Sequence, residues 1–345
     1  MKIVVTGGAG FIGNHIAEFY SKQGNDVFVF DNLSRAILLK KNIKNIDYNW
    51  NYLKKFKNIQ LIKGDIKNFK EIEKVSKNAD AIIHAAAQTA VTSSVVDPLS
   101  DFETNALGTF NVLEAARRND VKSIVYCSTN KVYGGNVNNI NVYEKELRYI
   151  FEKKYQKGIS ENFPMDLCEH SPYGCSKLTG DLYTQEYGKL YGIKTGVFRM
   201  SCIYGTRQFG VEDQGWVMWF TIAALLDKPI TIYGDGKQVR DILYITDLVE
   251  LFDKFINSNL KNVVLNVGGG PRNTLSLLEL IELLGKKTGK KINIKFSNWR
   301  ASDQKVYISD ISKAIKMLGW KPKISTPEGI KKIYDWVSSN LILFK

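Results

Sequence analysis

The sequence predicts an α/β protein, a doubly wound parallel sheet accompanied by a smaller C-terminal mixed α/β domain. Three observations carry this expectation. From Met1 to about residue 200, short β-branched runs alternate with longer amphipathic segments, the pattern of βαβ units stacked into one parallel sheet. The first of these runs leads straight into a glycine-rich turn, Gly7-Gly8-Ala9-Gly10-Phe11-Ile12-Gly13. Beyond residue 200 the alternation loosens into short strands and helices of mixed order.

In chain order, the strand candidates are Ile3 to Thr6, Val27 to Asp31, Gln60 to Lys63, Ala81 to His84, Ser123 to Ser128 and Thr195 to Arg199. Six strands suit a doubly wound sheet. The first domain is expected over 1–200, and a second over 201–345, with some of its strands and helices returning to the first. The polar stretch from Gly134 to His170 lacks strong periodicity and reads as an insertion, about 135–170, with one short helix around Glu144 to Tyr155. Further helices are expected from about Thr246 to Asn257 and from Ser276 to Thr288. No internal repeat or low-complexity linker interrupts the pattern.

Composition narrows the function classes. With 44% apolar and 24% charged residues over 345 positions, the chain is an ordinary globular one. No apolar run approaches the roughly 18 residues of a membrane span, and no signal core precedes the first strand. A cytoplasmic protein without a membrane partner is expected. Cys127, Cys168, Cys175 and Cys202 show no close paired spacing, and His15, His84 and His170 are the only histidines. Free thiols and no metal site are therefore expected. The net charge of +13 is spread along the chain, which fits a solvated basic surface rather than a nucleic-acid site.

The glycines at 7, 10 and 13 allow a tight turn, close backbone approach to a pyrophosphate and close helix packing. The helix starting near Phe11 then directs its unpaired N–H groups, including that of Ile12, at the phosphates. Eighteen residues after Gly13, the second strand ends in Asp31, where a carboxylate accepts hydrogen bonds from adenosine ribose hydroxyls. This is the fingerprint of a Rossmann dinucleotide site, and Asp31 favours NAD. Arg35 is the counter-signal, since an arginine there can pair with the 2′-phosphate of NADP. Asn32 and Ser34 follow Asp31 in the same loop. Asp65, before Ile66, either reaches the adenine amine or caps the helix that follows. Ala85-Ala86-Ala87 supplies small residues where a cofactor can lie against the backbone.

The fifth strand closes in Ser128-Thr129-Asn130-Lys131-Val132-Tyr133-Gly134, and a later helix carries Tyr173 and Lys177 four residues apart, on one helical face. A phenol with a pKa of about 10 is a poor base at neutral pH. A nearby ammonium favours its phenolate, and Thr129 can hold the same substrate hydroxyl.

These pieces, with Asp31-Asn32-Leu33-Ser34, Asn105, Gly108-Thr109 and Tyr173 through Lys177, resemble the extended short-chain dehydrogenase/reductase family along nearly the whole chain. The resemblance implies that Thr129, Tyr173 and Lys177 form a catalytic triad, that Ser128 and Asn105 lie beside the cofactor, and that the protein is a homo-oligomer. The helices from Asn105 to Arg118 and from Tyr173 to Lys189 match those that pair across the family's dimer interface. Sugar-nucleotide 4,6-dehydratases of the family carry Asp-Glu after the catalytic Ser or Thr. Asn130-Lys131 stands here instead, which leaves reversible hydride transfer.

The Ser128–Gly134 string, His170-Ser171-Pro172-Tyr173-Gly174-Cys175-Ser176-Lys177, Arg207-Gln208-Phe209, Asp213 through Val217 and Gly236 through Asp241 are similar to the CDP-tyvelose epimerase branch. That likeness implies inversion at carbon 2 of a CDP-dideoxyhexose, through a 2-keto intermediate. Under it, Gln88, Thr129, Asn130, Lys131, Ser201, Arg207, Gln214, Trp216, Arg240 and Arg300 are candidate substrate contacts. The other reading of any single arginine is a surface ion pair, of Trp216 a core residue, and Asp303 reads as a residue that orients its loop. The alternatives are a UDP-hexose 4-epimerase or a catalytically silent NAD-binding regulator.

Overall fold

A computed structural model describes residues 1–38, 45–300 and 302–345 of the chain. It divides into two compact units. The first holds Met1–Val132, Pro172–Arg199 and Val249–Leu265, and the second holds Tyr133–Ser171, Met200–Leu248 and Asn266–Lys345.

The first unit is built on a seven-stranded sheet. Val4, Val5, Val27, Val29, Ile82, Ile83 and Val125 are all fully buried, because a parallel sheet is covered on both faces and its strands are apolar throughout. From one edge to the other, the strands are Val263–Val267, Lys194–Met200, Ser123–Thr129, Ala81–His84, Lys2–Thr6, Asp26–Asp31 and Ile59–Lys63. Lys2–Thr6 lies between its two parallel neighbours, with Thr6 beside Phe30 and His84. The order reverses at that first strand, so its carboxyl end and that of Ala81–His84 flank the crevice where ligands bind in such sheets. The doubly wound sheet expected from the sequence is present, and each of its six expected strands forms. The seventh, Val263–Val267, lies outside the six strand candidates.

On one face of the sheet, Ile72, Val75, Val112, Leu113, Ala115 and Ala116 pack with Val4, Phe30, Ile82 and Ile124. Gly108 lets the helix Gly108–Arg118 approach closely, since a Cβ there would stand 2.6 Å from Ile66. The helix Pro98–Phe102, capped by Asp97, passes into that one through a π-turn at Glu103–Leu107. Such turns insert a residue into the helical ladder and re-aim the side chains around it.

In the second unit, Ile230–Tyr233 pairs with Ile294–Ser297, and Val239–Tyr244 pairs with Cys202–Tyr204, Thr274–Ser276 and Val306–Tyr307. The short helix expected around Glu144 to Tyr155 is not formed. Val142–Glu144 and Tyr149–Phe151 instead make an antiparallel hairpin, and Lys153–Tyr155 forms a single 3₁₀ turn. Tertiary burial overrides the helical propensity of Glu144-Lys145-Glu146-Leu147-Arg148. Tyr149 and Phe151 enter the core, and Arg148 grips both carboxylate oxygens of Glu279. The other two expected helices appear as Ile245–Ile256 and Leu277–Thr288, the latter capped by a reciprocal Ser276–Glu279 box that satisfies two orphan N–H groups. Among the described residues, no helix is long and apolar enough to cross a membrane.

Candidate active site

The glycine turn owes its shape to close backbone approach. Gly7 has φ +70°, and a Cβ there would stand 2.6 Å from the Ala86 backbone. A Cβ on Gly13 would stand 2.3 Å from the Gly7 carbonyl oxygen. Gly10 begins the helix Phe11–Lys22 with no side-chain cap, so the first-turn N–H groups are free of side-chain competition for an anion. Asp31 holds this turn from below, accepting N–H bonds from Ala9 (3.0 Å) and Leu33 (2.8 Å). Burial raises the Asp31 pKa, and these two bonds oppose the rise. Each carboxylate oxygen keeps a further acceptor site. An uncapped helix end, a close glycine turn and a half-buried carboxylate fit a dinucleotide.

Around this turn, Ala85 N–H bonds the Thr6 carbonyl at 3.1 Å, and Ala86 N–H reaches the Thr6 hydroxyl at 3.4 Å, with Ala87 next in the chain. Ser34 N–H bonds Asn32 Oδ1, and Asn32 Nδ2 donates to Asp65 at 3.0 Å. Asp65 also accepts the Lys67 N–H. The helix that follows, Phe69–Ser76, begins after Asn68, so Asp65 is not its cap. Arg35 opens the short helix Arg35–Leu38, and burial lowers its pKa to about 10.

Thr129 ends the fifth strand, while Tyr173 and Lys177 stand one turn apart on the helix Pro172–Tyr191. All three are buried. Tyr173 N–H bonds Ser94 Oγ at 3.1 Å, and Thr129 hydrogen-bonds the Tyr173 phenol. Lys177 Nζ lies 4.2 Å from the centre of the Tyr126 ring. Burial pushes the Tyr173 phenol up to about 12, against the Thr129 bond. Burial pushes Lys177 down to about 8, and Cys127, Asp181 and Asp101 oppose that change. This trio can exchange a proton with a substrate hydroxyl out of contact with bulk water.

Several expected contacts are turned inward. Gln88 uses its amide on the Ala90 backbone and on Asp101, and Asn105 bonds Gln88, Asp101 and Ser176. The Ser128 hydroxyl donates to Asp181 at 2.7 Å. Asp181 also forms a two-point pair with Arg199 at 2.9 and 3.0 Å. Asp101, Asp181 and Arg199 escaped sequence reasoning, since a lone Asp or Arg far from its partner leaves no local signal.

Asn130 and Lys131 begin the 3₁₀ segment after the fifth strand. In the second unit, Arg207 has φ +60° and is buried. Arg240, also buried, pairs with Asp303. Arg300 binds Asp213 at 2.9 Å and stacks 3.8 Å from the Tyr233 ring centre. The Asp303 carboxylate thus holds Arg240, and its N–H bonds the Arg300 carbonyl at 3.3 Å. Ser201 Oγ donates to the Asp241 carbonyl, Gln214 N–H to that of Val211, and Trp216 Nε1 lies 3.4 Å from Cys202 Sγ.

Residues 3–268 match the model of the NAD dependent epimerase/dehydratase family. The chain is 42% identical to the CDP-paratose 2-epimerase of Salmonella typhi, over 98% of this chain and 100% of that one. Its fold matches the UDP-glucose 4-epimerase of Thermotoga maritima, solved with UDP-glucose, at TM-score 0.81 and 30% identity, over 99% and 100% of the two chains. It also matches the UDP-glucuronic acid 4-epimerase of Bacillus cereus, solved with UDP-glucuronic acid and NAD, at TM-score 0.82 and 28% identity, again over 99% and 100%.

Gly13→Ala is expected to force the turn apart, because its Cβ meets backbone that cannot rotate away. The purified variant should retain less than a tenth of the wild-type NAD, measured after acid release. Full NAD content would refute this account of the turn.

Proposed function

Because this chain belongs to the NAD dependent epimerase/dehydratase family, we propose that it inverts carbon 2 of a CDP-activated dideoxyhexose, converting CDP-paratose to CDP-tyvelose. It is an NAD-dependent nucleotide-sugar epimerase. The observation that carries the finer reading is the likeness to the Salmonella typhi enzyme along both chains. Asn130-Lys131, in place of paired carboxylates, supports it by leaving dehydration without its acid and base.

We assign the dinucleotide to the first unit, with Gly7, Gly10, Gly13 and Asp31 as its main holders, and the nucleotide sugar mainly to residues of the second. NAD held by these residues would supply reversible hydride exchange at a carbinol carbon. Tyr173 takes the hydroxyl proton and later gives it back. Thr129, already bonded to the phenol, fixes the same hydroxyl. The Lys177 ammonium favours the phenolate by charge. Arg207, Arg240 and Arg300 are the donors for the diphosphate, where a planar guanidinium binds two oxygens at once.

We further infer a homo-oligomer, paired through the helices Gly108–Arg118 and Pro172–Tyr191. Phe110 and Tyr183 pack edge to face across these two helices, 6.0 Å apart. Both remain substantially exposed, as do Leu99 and Phe102 on the helix Pro98–Phe102 and Leu182 beside Tyr183 in the chain, exposed apolar side chains of the kind that a second copy covers. Light scattering should report a dimer or tetramer that Phe110→Glu dissociates. A monomeric wild type would sink this inference.

The substrate test follows carbon-2 configuration by proton NMR, with CDP-paratose and a panel of CDP- and UDP-hexoses. Conversion to CDP-tyvelose, preferred over the panel, and a Tyr173→Phe variant slower by roughly 10²–10⁴-fold are expected. Turnover of a UDP-hexose at carbon 4, with CDP-paratose inert, would replace this reading with that of a 4-epimerase.

A further inference from the structure

A buried ammonium is costly unless negative charge or potential meets it. Lys177 is 2% exposed. Among the described residues, no carboxylate lies within ion-pair distance of its Nζ and no group accepts a hydrogen bond from it. The two carboxylates that bear on it from further off, Asp181 and Asp101, are engaged elsewhere. Asp181 meets Arg199 at 2.9 and 3.0 Å and the Ser128 hydroxyl at 2.7 Å. Asp101 accepts from Gln88, Asn105 and Ser176. The other titratable neighbours are uncharged at physiological pH. Burial holds His84 down to about 3 and pushes the Cys127 thiol and the Tyr173 phenol up to about 12.

What touches the ammonium is a ring. Lys177 Nζ lies over Tyr126, 4.2 Å from the ring centre, inside the roughly 6 Å over which a π face attracts a cation. Lys2 approaches Phe28 as closely, but its ammonium also bonds the Lys77 carbonyl. Lys177 has no such second partner among the described residues. Burial pushes the Tyr126 phenol well above its ordinary value, so the attraction is that of a neutral π face and not of a phenolate.

The ring is held on its other sides. Its hydroxyl bonds the carbonyl of Lys177 itself at 3.2 Å and also bonds Thr109. His84 lies beside it, 5.7 Å between ring centres. Thr6 at 2.7 Å and Thr109 at 3.0 Å fix that imidazole in turn. A Cβ on Gly180 would stand 2.8 Å from the ring carbon Cζ, so glycine lets the helix Pro172–Tyr191 lie this close. The backbone and the ammonium of Lys177 thus rest on one side chain.

We propose that Tyr126 is a positioning residue whose π face seats the Lys177 ammonium, in place of a contacting carboxylate. This rests on the reading of Tyr173 and Lys177 as the proton-handling pair. Such a seat favours the charged lysine, so a weaker π face should let the proton leave at lower pH. Tyr126→Phe keeps the face and removes the hydroxyl. Tyr126→Phe with one, two or three ring fluorines keeps the shape while draining the negative potential of the face.

On the NAD-holding enzyme, the Lys177 titration is followed by NMR of ¹³C-labelled lysine, assigned by the signal lost in Lys177→Met. In parallel, kcat and KM are measured against pH. Tyr126→Phe should titrate close to wild type. The fluorines should then lower the titration stepwise, by about one unit across the series. The alkaline limb of kcat should move with it, a tenfold loss of turnover above the limb, with little change in KM. A titration indifferent to the fluorines would overturn the proposal. So would Tyr126→Phe alone shifting it as far as the trifluorinated ring, which would assign the effect to the hydroxyl. Should Tyr126→Phe not fold, ring-fluorinated tyrosine at the same position keeps the hydroxyl, and a stepwise shift or none decides the matter in the same way. Turnover by Tyr173→Phe or Lys177→Met near the wild-type rate would instead overturn the reading beneath it, and the NMR titration would still report on Tyr126.

Discussion

Lys177 carries an ammonium that the first unit keeps almost wholly out of water, and much of the surrounding structure answers that constraint. The Tyr126 ring offers its face to the charge, a contact strengthened by desolvation. The Tyr126 hydroxyl bonds the Lys177 carbonyl at 3.2 Å, which seats the helix Pro172–Tyr191 on the fifth strand. Gly180 makes that seating possible, since a Cβ there would stand 2.3 Å from the same hydroxyl. Asp181 and Arg199 then join that helix to the strand Lys194–Met200 through a neutral, desolvated pair. Breaking one partner of such a pair costs several kcal/mol, so this frame tolerates little drift.

The sheet order brings the rest together. The glycine turn follows the first strand, Ala85 to Gln88 follows the fourth, and Thr129 closes the fifth. These three strands are neighbours, so the glycine turn, the Ala85–Gln88 run and Thr129 share one end of one sheet. Thr6, His84, Thr109 and Asn105 run between them as a buried hydrogen-bonded chain. Burial keeps His84 neutral, so one ring nitrogen donates while the other accepts.

Local chemistry was legible in the sequence. The glycine turn, Asp31, Thr129 and the Tyr173–Lys177 spacing each carry their meaning within a few residues, and β-branched runs marked six strands. What escaped depended on partners distant in sequence. Val263–Val267 lies where the regular alternation has already faded, and only its place at the sheet edge makes it a strand of that sheet. Glu144 to Arg148 is rich in helix formers, yet Tyr149 and Phe151 are drawn into the core of the second unit. Asp101 meets Ser176 across 75 positions, and Arg240 meets Asp303 across 63. No spacing rule anticipates such pairs.

In the proposed reaction, hydride would leave and return to one carbon while Tyr173 moves only the hydroxyl proton. The most direct measurement uses CDP-paratose carrying deuterium at carbon 2, converted in ordinary water on enzyme with its own NAD, with the product examined by mass and NMR. Epimerised product with deuterium retained at carbon 2 is the expected result. Product that has exchanged this deuterium for solvent hydrogen would contradict it and point to direct deprotonation of the carbon.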